Sequence, residues 1–194
     1  VKTCVRVTDQ ESRQELPYNL IGELLFCTPS QMKGYVYNKS DDTSIIEEFG
    51  DGVKWIRTGD LGYVDDDGFV HYVGRMKRIY MTRVRHGNSG QLIKIFPQRI
   101  EECIEQIDEV LICGVVVRED EDRLNVPIAF VSLTSQDIDP QNAESIIKQF
   151  VDKQLPEHDR PEDIHILNAM PMTASGKVDY CALEEMVKES IDHA

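Results

Sequence analysis

A chain of 194 residues, 41% of them hydrophobic, holds enough apolar material for one ordinary core or two small ones. No stretch approaches the roughly 18 uninterrupted apolar residues of a membrane span, and the opening "VKTCVRVTDQ" lacks the apolar run and small-residue cleavage site of a secretory leader, so the expectation is a cytoplasmic protein without a membrane span. A formal net charge of −14 argues against a nucleic-acid partner, which needs a clustered surplus of Lys and Arg to neutralise phosphates.

The first third reads as β-structure. Short apolar runs, "TCVRVTD", "GELLFC" and "GYVYN", are separated by polar or proline-containing stretches, the pattern of a small antiparallel sheet or barrel. Next, "SDDTSIIEEFG" predicts one short helix, with Ser40 or Asp41 as its N-cap and Gly50 as its stop. Two β-patterned runs then follow, Leu61 to Val64 and Phe69 to Val73, around Asp66-Asp67-Gly68, where Asp-Gly is a strong hairpin signal. The consecutive acids Asp65, Asp66 and Asp67 read as a solvated turn, since neighbouring carboxylates in a tight turn point in different directions.

After Arg75 the pattern changes. "RIYMTRV" and "QLIKIF" predict a second hairpin about the loop "HGNSG", in which His86 reads as solvated. A helix begins at "FPQRIEECIEQI", with Pro97 in its first turn and Ile100, Ile104 and Ile107 along one face. "VLICGVVV" and "PIAFVSLT" read as strands joined through "REDEDRLN", "PQNAESIIKQFVDKQL" as a helix, and "DIHILNAM" as a strand. Asp179 is placed to cap a final amphipathic helix from Tyr180 to about Ile191. The fold class expected is α+β. A small β-rich, barrel-like unit covers residues 1–75, a hinge lies at 76–78, and residues 79–194 form an α+β lid domain with a small central sheet flanked by helices. Because residue 1 is not methionine and a strand begins at once, the chain reads as part of something longer.

Five cysteines, odd in number and never in CxxC spacing, suggest free buried thiols; neither a zinc ribbon nor a disulfide framework is indicated. One basic cluster stands out: Arg75, Lys77, Arg78, Arg83 and Arg85 fall within eleven positions. It suits a single anion or phosphate, or else a solvated strand edge. Near the end, Gly176-Lys177 in "PMTASGKVDY" can be a phosphate-gripping pair or a plain surface turn, and Asp60 in "RTGDLGYV" can cap the turn that it begins.

Three motifs in order decide among these readings: Arg57-Thr58-Gly59-Asp60 followed by a hairpin and Gly74-Arg75; a lysine- and isoleucine-containing strand leading to Pro97 and "RIEE"; and "PMTASGKVD", matching P-x-T-x-x-G-K-x-D. Together with "GELLFCTPSQMKGYVYN" they resemble the C-terminal part of the adenylate-forming superfamily of acyl- and aryl-CoA synthetases, adenylation domains and luciferases. The resemblance implies a ligase that joins a carboxylic acid to the α-phosphate of ATP, releases pyrophosphate, and passes the acyl group to coenzyme A or a carrier thiol. It implies Lys177 as the adenylation lysine, Asp60 as acceptor of the ribose hydroxyls with Thr58 assisting, and Arg75 at the ribose or phosphates. It also implies a hinge at Met76 to Arg78. The usual acidic hinge position is occupied by basic Lys77 or Arg78, and the segment from Ile79 to Pro97 is longer than the family spacing.

Gly87, Gly90 and Lys94 are the candidates for the thiol-transfer loop. Mg2+ is expected by resemblance, with no ligand set of its own visible in the sequence. The phosphate loop, the adenine-contacting segment and the acyl pocket would lie in an upstream N-terminal domain missing here, so this stretch alone is expected to be inactive. The "GRMKRIYM" strand favours the acyl-CoA synthetase style. A non-catalytic module of the same fold, using the altered hinge and basic loop to hold an anion or a protein, is the alternative.

Overall fold

A computed structural model describes residues 2–33, 46–50, 52–86 and 89–192, and the chain divides into two units, Val1–Arg78 and Ile79–Ala194. The first unit is a five-stranded antiparallel sheet. Its strands are β1 (Cys4–Thr8), β2 (Gly22–Cys27), β3 (Ile46–Glu48), β4 (Lys54–Val64) and β5 (Val70–Arg75). They run in the order β1-β2-β4-β3, and β5 pairs with the far half of β4. A 3-10 turn, Met76–Arg78, closes the unit. The β2–β4 register meets at Gly22 and Gly62. A Cβ at either would strike a backbone carbonyl, that of Thr8 or of His71, so close that only glycine fits the crossing.

Two expectations change here. Ile46–Glu48, expected at the end of a helix, is a strand on β4 instead: β-branched Ile46 opposes Ile56 across the ladder, and cross-strand packing outweighs the local acidic helix signal. The remainder of that expected helix, and "GYVYN", lie outside the described residues. The acidic turn is also more than a solvated loop. Asp65 accepts the backbone N–H groups of Asp67 and Phe69 at 3.1 and 2.8 Å and pairs with His71 Nε2 at 2.6 Å. Those bonds hold the Asp65 carboxyl below the usual carboxylate range, with the His71 bond as the main cause.

In the second unit β6 (Tyr80–His86) and β7 (Ser89–Ile95) form a hairpin whose pairing extends to His86 opposite Ser89. The expected hairpin is present, and its ladder runs on into "HGNSG", taking in His86, Ser89 and Gly90. Then come α1 (Pro97–Ile104), β8 (Val110–Asp120), β9 (Leu124–Leu133), α2 (Pro140–Gln154), β10 (Asp163–Leu167) and α3 (Tyr180–Asp192). β8 and β9 are antiparallel, and β10 joins β9 in parallel after the α2 crossover. Central β9 is buried on both sides, as its unbroken apolar run requires. Ala129 and Val131 pack with Ile100 and Ile104 of α1 and Ile147 and Val151 of α2. Ile128 and Phe130 face the other way, against Leu183 and Val187 of α3.

Asp139 and Asp179 cap α2 and α3 by accepting Asn142 N–H at 3.0 Å and Ala182 N–H at 3.2 Å. The thiols are free but not uniformly buried: Cys103 and Cys113 are buried, whereas Cys4 and Cys181 are exposed.

Edge strand β8 is sealed by the helix beside it. Glu101 Oε1 accepts the Val115 N–H at 2.8 Å, and Glu105 Oε1 accepts that of Cys113 at 3.0 Å. The "RIEE" motif thus begins a helix whose carboxylates substitute for a missing strand. Replacing Glu101 by Ala strands a buried backbone donor and should cost about 1–3 kcal/mol in denaturant unfolding, while Gln, which can still accept, should recover most of it.

Candidate functional site

The "RTGD" stretch sits in a break of the β2–β4 ladder. Leu25 opposes Arg57 and Glu23 opposes Leu61. Thr58, Gly59 and Asp60 therefore stand against Leu24 alone, a bulge with two extra residues that Gly59 makes possible at φ +70°. Side chains satisfy the displaced backbone. Thr58 Oγ1 donates to Leu24 O at 2.7 Å and accepts the Asp60 N–H at 3.0 Å. Glu23 Oε1 takes the Gly59 N–H at 3.3 Å.

Asp60 is thereby set next to Arg75, its partner across the β4–β5 ladder. Asp60 Oδ1 lies 2.8 Å from Arg75 Nε, yet this buried oxygen has no aligned hydrogen bond. Arg75 is mostly exposed and donates through a terminal nitrogen to Thr58 O at 3.2 Å. Burial pushes the Asp60 carboxyl above the ordinary range; the Arg75 charge and the Thr58 bond oppose the shift, and the Glu23 charge adds to it. An acceptor-only carboxylate paired with a mostly exposed guanidinium suits a vicinal diol on an anionic ligand. The structure thus brings Thr58, Asp60 and Arg75 together as one group.

This arrangement sets function against stability. A carboxyl whose folded pKa is raised adds stability only below its unfolded pKa, and that stability is lost as pH rises through the folded value. Near neutrality ionised Asp60 is a cost, so Asp60→Asn should leave the melting temperature unchanged or higher while weakening any binding of a diol-bearing anion about tenfold. Wild-type affinity should decline as acid protonates the same carboxyl. Calorimetric titration and thermal melts across pH check both.

Lys177 belongs to the second unit. Its backbone is locked by Thr173: Thr173 N–H donates to Lys177 O at 2.7 Å, and Lys177 N–H donates to Thr173 Oγ1 at 3.2 Å. Gly176, at φ +76°, turns the chain, and its N–H reaches Thr173 O at 2.9 Å. An isolated bridge between Met172 and Val178 closes the base of the turn. The Lys177 side chain is exposed and, among the described residues, has no carboxylate partner. A backbone held this tightly with a free ammonium delivers charge to a fixed point.

The other candidates are placed less tellingly. Lys77 and Arg78 end the first unit in the 3-10 turn. Gly90 and Lys94 lie within β7, and Gly87 lies outside the described residues. The basic cluster is distributed over both units; Arg83 donates to the backbone carbonyl of Asp122 at 3.3 Å. No group of three His, Cys, Asp or Glu side chains that could hold a metal forms among the described residues, and no described helix is long and apolar enough to cross a membrane. Sequence reasoning gave no role to Glu23 or Arg57. Glu23, almost wholly buried, accepts Arg57 Nε at 3.0 Å and a terminal Arg57 nitrogen at 2.6 Å. The available signal was an acid at the head of an otherwise apolar strand, which needs a partner once buried.

Residues 99–177 match the AMP-binding enzyme C-terminal domain. Over 174 residues the chain is 32% identical to 2-succinylbenzoate–CoA ligase of Bacillus cytotoxicus, covering 90% of this chain and 32% of that protein. It is 29% identical to 4-coumarate–CoA ligase of Pinus taeda, again over 90% of this chain and 29% of the relative. The crystal structure of ATP-bound MatB from Rhodopseudomonas palustris is similar with a TM-score of 0.76 at 27% identity, covering 96% of this chain and 34% of that one. The chain therefore spans about a third of the length of these relatives.

Proposed function

The chain belongs to the adenylate-forming, AMP-binding enzymes, whose C-terminal domain it carries, and from that premise we propose that it contributes the ribose-holding edge and the adenylation lysine of an ATP-dependent acid–CoA ligase. The observation that carries the reading is the pair of prepared groups: the bulge that sets Asp60 against Arg75, and Lys177 on its locked turn. Asp60 would accept the two ribose hydroxyls, and Arg75 would lie against the ribose or phosphates. A carboxylate oxygen of the acid attacks the α-phosphorus, the bond to the bridging oxygen of pyrophosphate breaks, and pyrophosphate leaves.

Lys177 would neutralise the carboxylate and the α-phosphate where two anions are forced together. Its ammonium is compact enough to touch both. In the second half-reaction a thiol sulfur would attack the acyl carbon and AMP would leave; coenzyme A is the proposed acceptor, as the names of the relatives suggest. Met76–Arg78 would be the hinge between the half-reactions, and Gly90 and Lys94 would take part in thiol transfer. Mg2+ would accompany ATP and screen its phosphates.

The test is carboxylate-dependent exchange of labelled pyrophosphate into ATP by the full-length protein, against fatty, aryl and dicarboxylic acids. Exchange with one class is the expected result and names the substrate type. Folded protein that exchanges with none would instead favour a non-catalytic module of this fold.

A further inference from the structure

Beneath the bulge lies a feature that the ligase reading does not itself require. Glu23 is 1% exposed, and its two oxygens serve different masters. Oε2 receives the Arg57 fork at 3.0 and 2.6 Å, and Arg13 stands 3.5 Å away. Oε1 receives the Gly59 N–H at 3.3 Å. Arg57 and Gly59 bracket Thr58, whose hydroxyl is spanned between Leu24 O and the Asp60 N–H. The Gly59 N–H and the Thr58 hydroxyl are thus anchored on Glu23 and its neighbour Leu24, while the Thr58 carbonyl is taken by Arg75.

A buried ion pair of this kind is poor value as a stabiliser, because desolvation consumes most of its Coulomb gain and an apolar pair would serve as well. What it does supply is a fixed shape: a planar fork and a single N–H acceptor define where residues 57–60 leave the ladder. Arg13 and Glu47 extend the arrangement, with Arg57 Nε 3.8 Å and Arg13 3.7 Å from Glu47 Oε2.

We propose that Glu23 is the positioning residue of the nucleotide edge, holding the Thr58–Asp60 bulge in the one geometry that lets Asp60 distinguish ribose hydroxyls. This rests on the reading of Asp60 as a ribose acceptor. Glu23 touches no substrate and acts through Arg57 and Gly59. Its loss should therefore alter which nucleotide is preferred, whereas a merely structural residue would change affinity for all nucleotides alike.

The experiment titrates ATP and 2′,3′-dideoxyATP into the full-length protein by calorimetry, for wild type, Glu23→Gln and Val7→Ala. Val7 is a core residue of the same sheet, on β1. Wild type should prefer ATP by about tenfold or more, as loss of hydrogen bonds to a carboxylate implies. Glu23→Gln should bring that ratio close to one, and Val7→Ala should lower the melting temperature but keep it. If Glu23→Gln does not fold, Arg57→Lys, which keeps the charge and loses the fork, should show the same collapse of preference. Wild type that binds neither nucleotide, or both equally, overturns the ribose reading and this proposal with it. Wild type that discriminates while the Glu23 and Arg57 variants discriminate equally well overturns the positioning role alone.

Discussion

Replacing Lys177 by Ala in the full-length protein is expected to depress carboxylate-dependent pyrophosphate exchange about 10²–10³-fold, the scale seen when one charge-stabilising group is removed from a preorganised site. The same variant should consume a preformed acyl-adenylate at close to the wild-type rate. Two anions meet only while the acyl–phosphate bond is forming, and the second half-reaction has no such encounter. The turn explains why so large an effect can rest on one exposed side chain. Thr173 fixes both the N–H and the carbonyl of Lys177, so the side chain starts from an anchored backbone and only its own rotamers remain to be ordered. Lys177→Arg should rescue poorly, since a planar fork cannot substitute for a compact charge at a point shared by two oxygens. Equal loss in both half-reactions would remove Lys177 from the role assigned to it.

The motifs that carried this assignment were legible because each is written in residues with narrow physical uses. Gly59 and Gly176 adopt left-handed backbone at the two turns; Asp60 and Lys177 bring opposite charges to them. The helices of the second unit were legible through periodicity and caps, Asp139 and Asp179 included. Harder to read was whatever depends on a partner far along the chain. Ile46–Glu48 looks helical by itself and becomes a strand through Ile56 and Lys54. His86, Ser89 and Gly90 look like loop because glycines and polar residues cluster there, and the β6–β7 ladder carries them into the hairpin. Glu23 was invisible as a site residue because its meaning lies in Arg57 and Gly59, more than thirty positions away.

The second large effect is expected at a residue with no polar chemistry at all. Gly114 lies on the face of β8 turned toward α3, and a Cβ there would come within 2.7 Å of Leu183 Cδ1 and 3.1 Å of Val178 Cγ1. Leu183 is completely buried, so it can yield only by displacing its neighbours or its helix. Val178 directly follows Lys177 and, paired with Met172, forms the base of the lysine turn. Gly114→Val should therefore cost about 3 kcal/mol through overpacking and should also impair adenylation, because the strain is relieved by lifting the base of that turn. Pairing Gly114→Ala with Leu183→Ala tests the cause. The single Leu183→Ala change opens a cavity at a cost of roughly 2–5 kcal/mol; if the contact is as tight as the geometry gives, the double variant should be more stable than the sum of the two singles, by about 1 kcal/mol or more. Strict additivity in denaturant melts would mean that β8 tolerates a side chain at Gly114, and the lysine turn would then owe its position to Thr173 and Asp179 rather than to the packing beneath it.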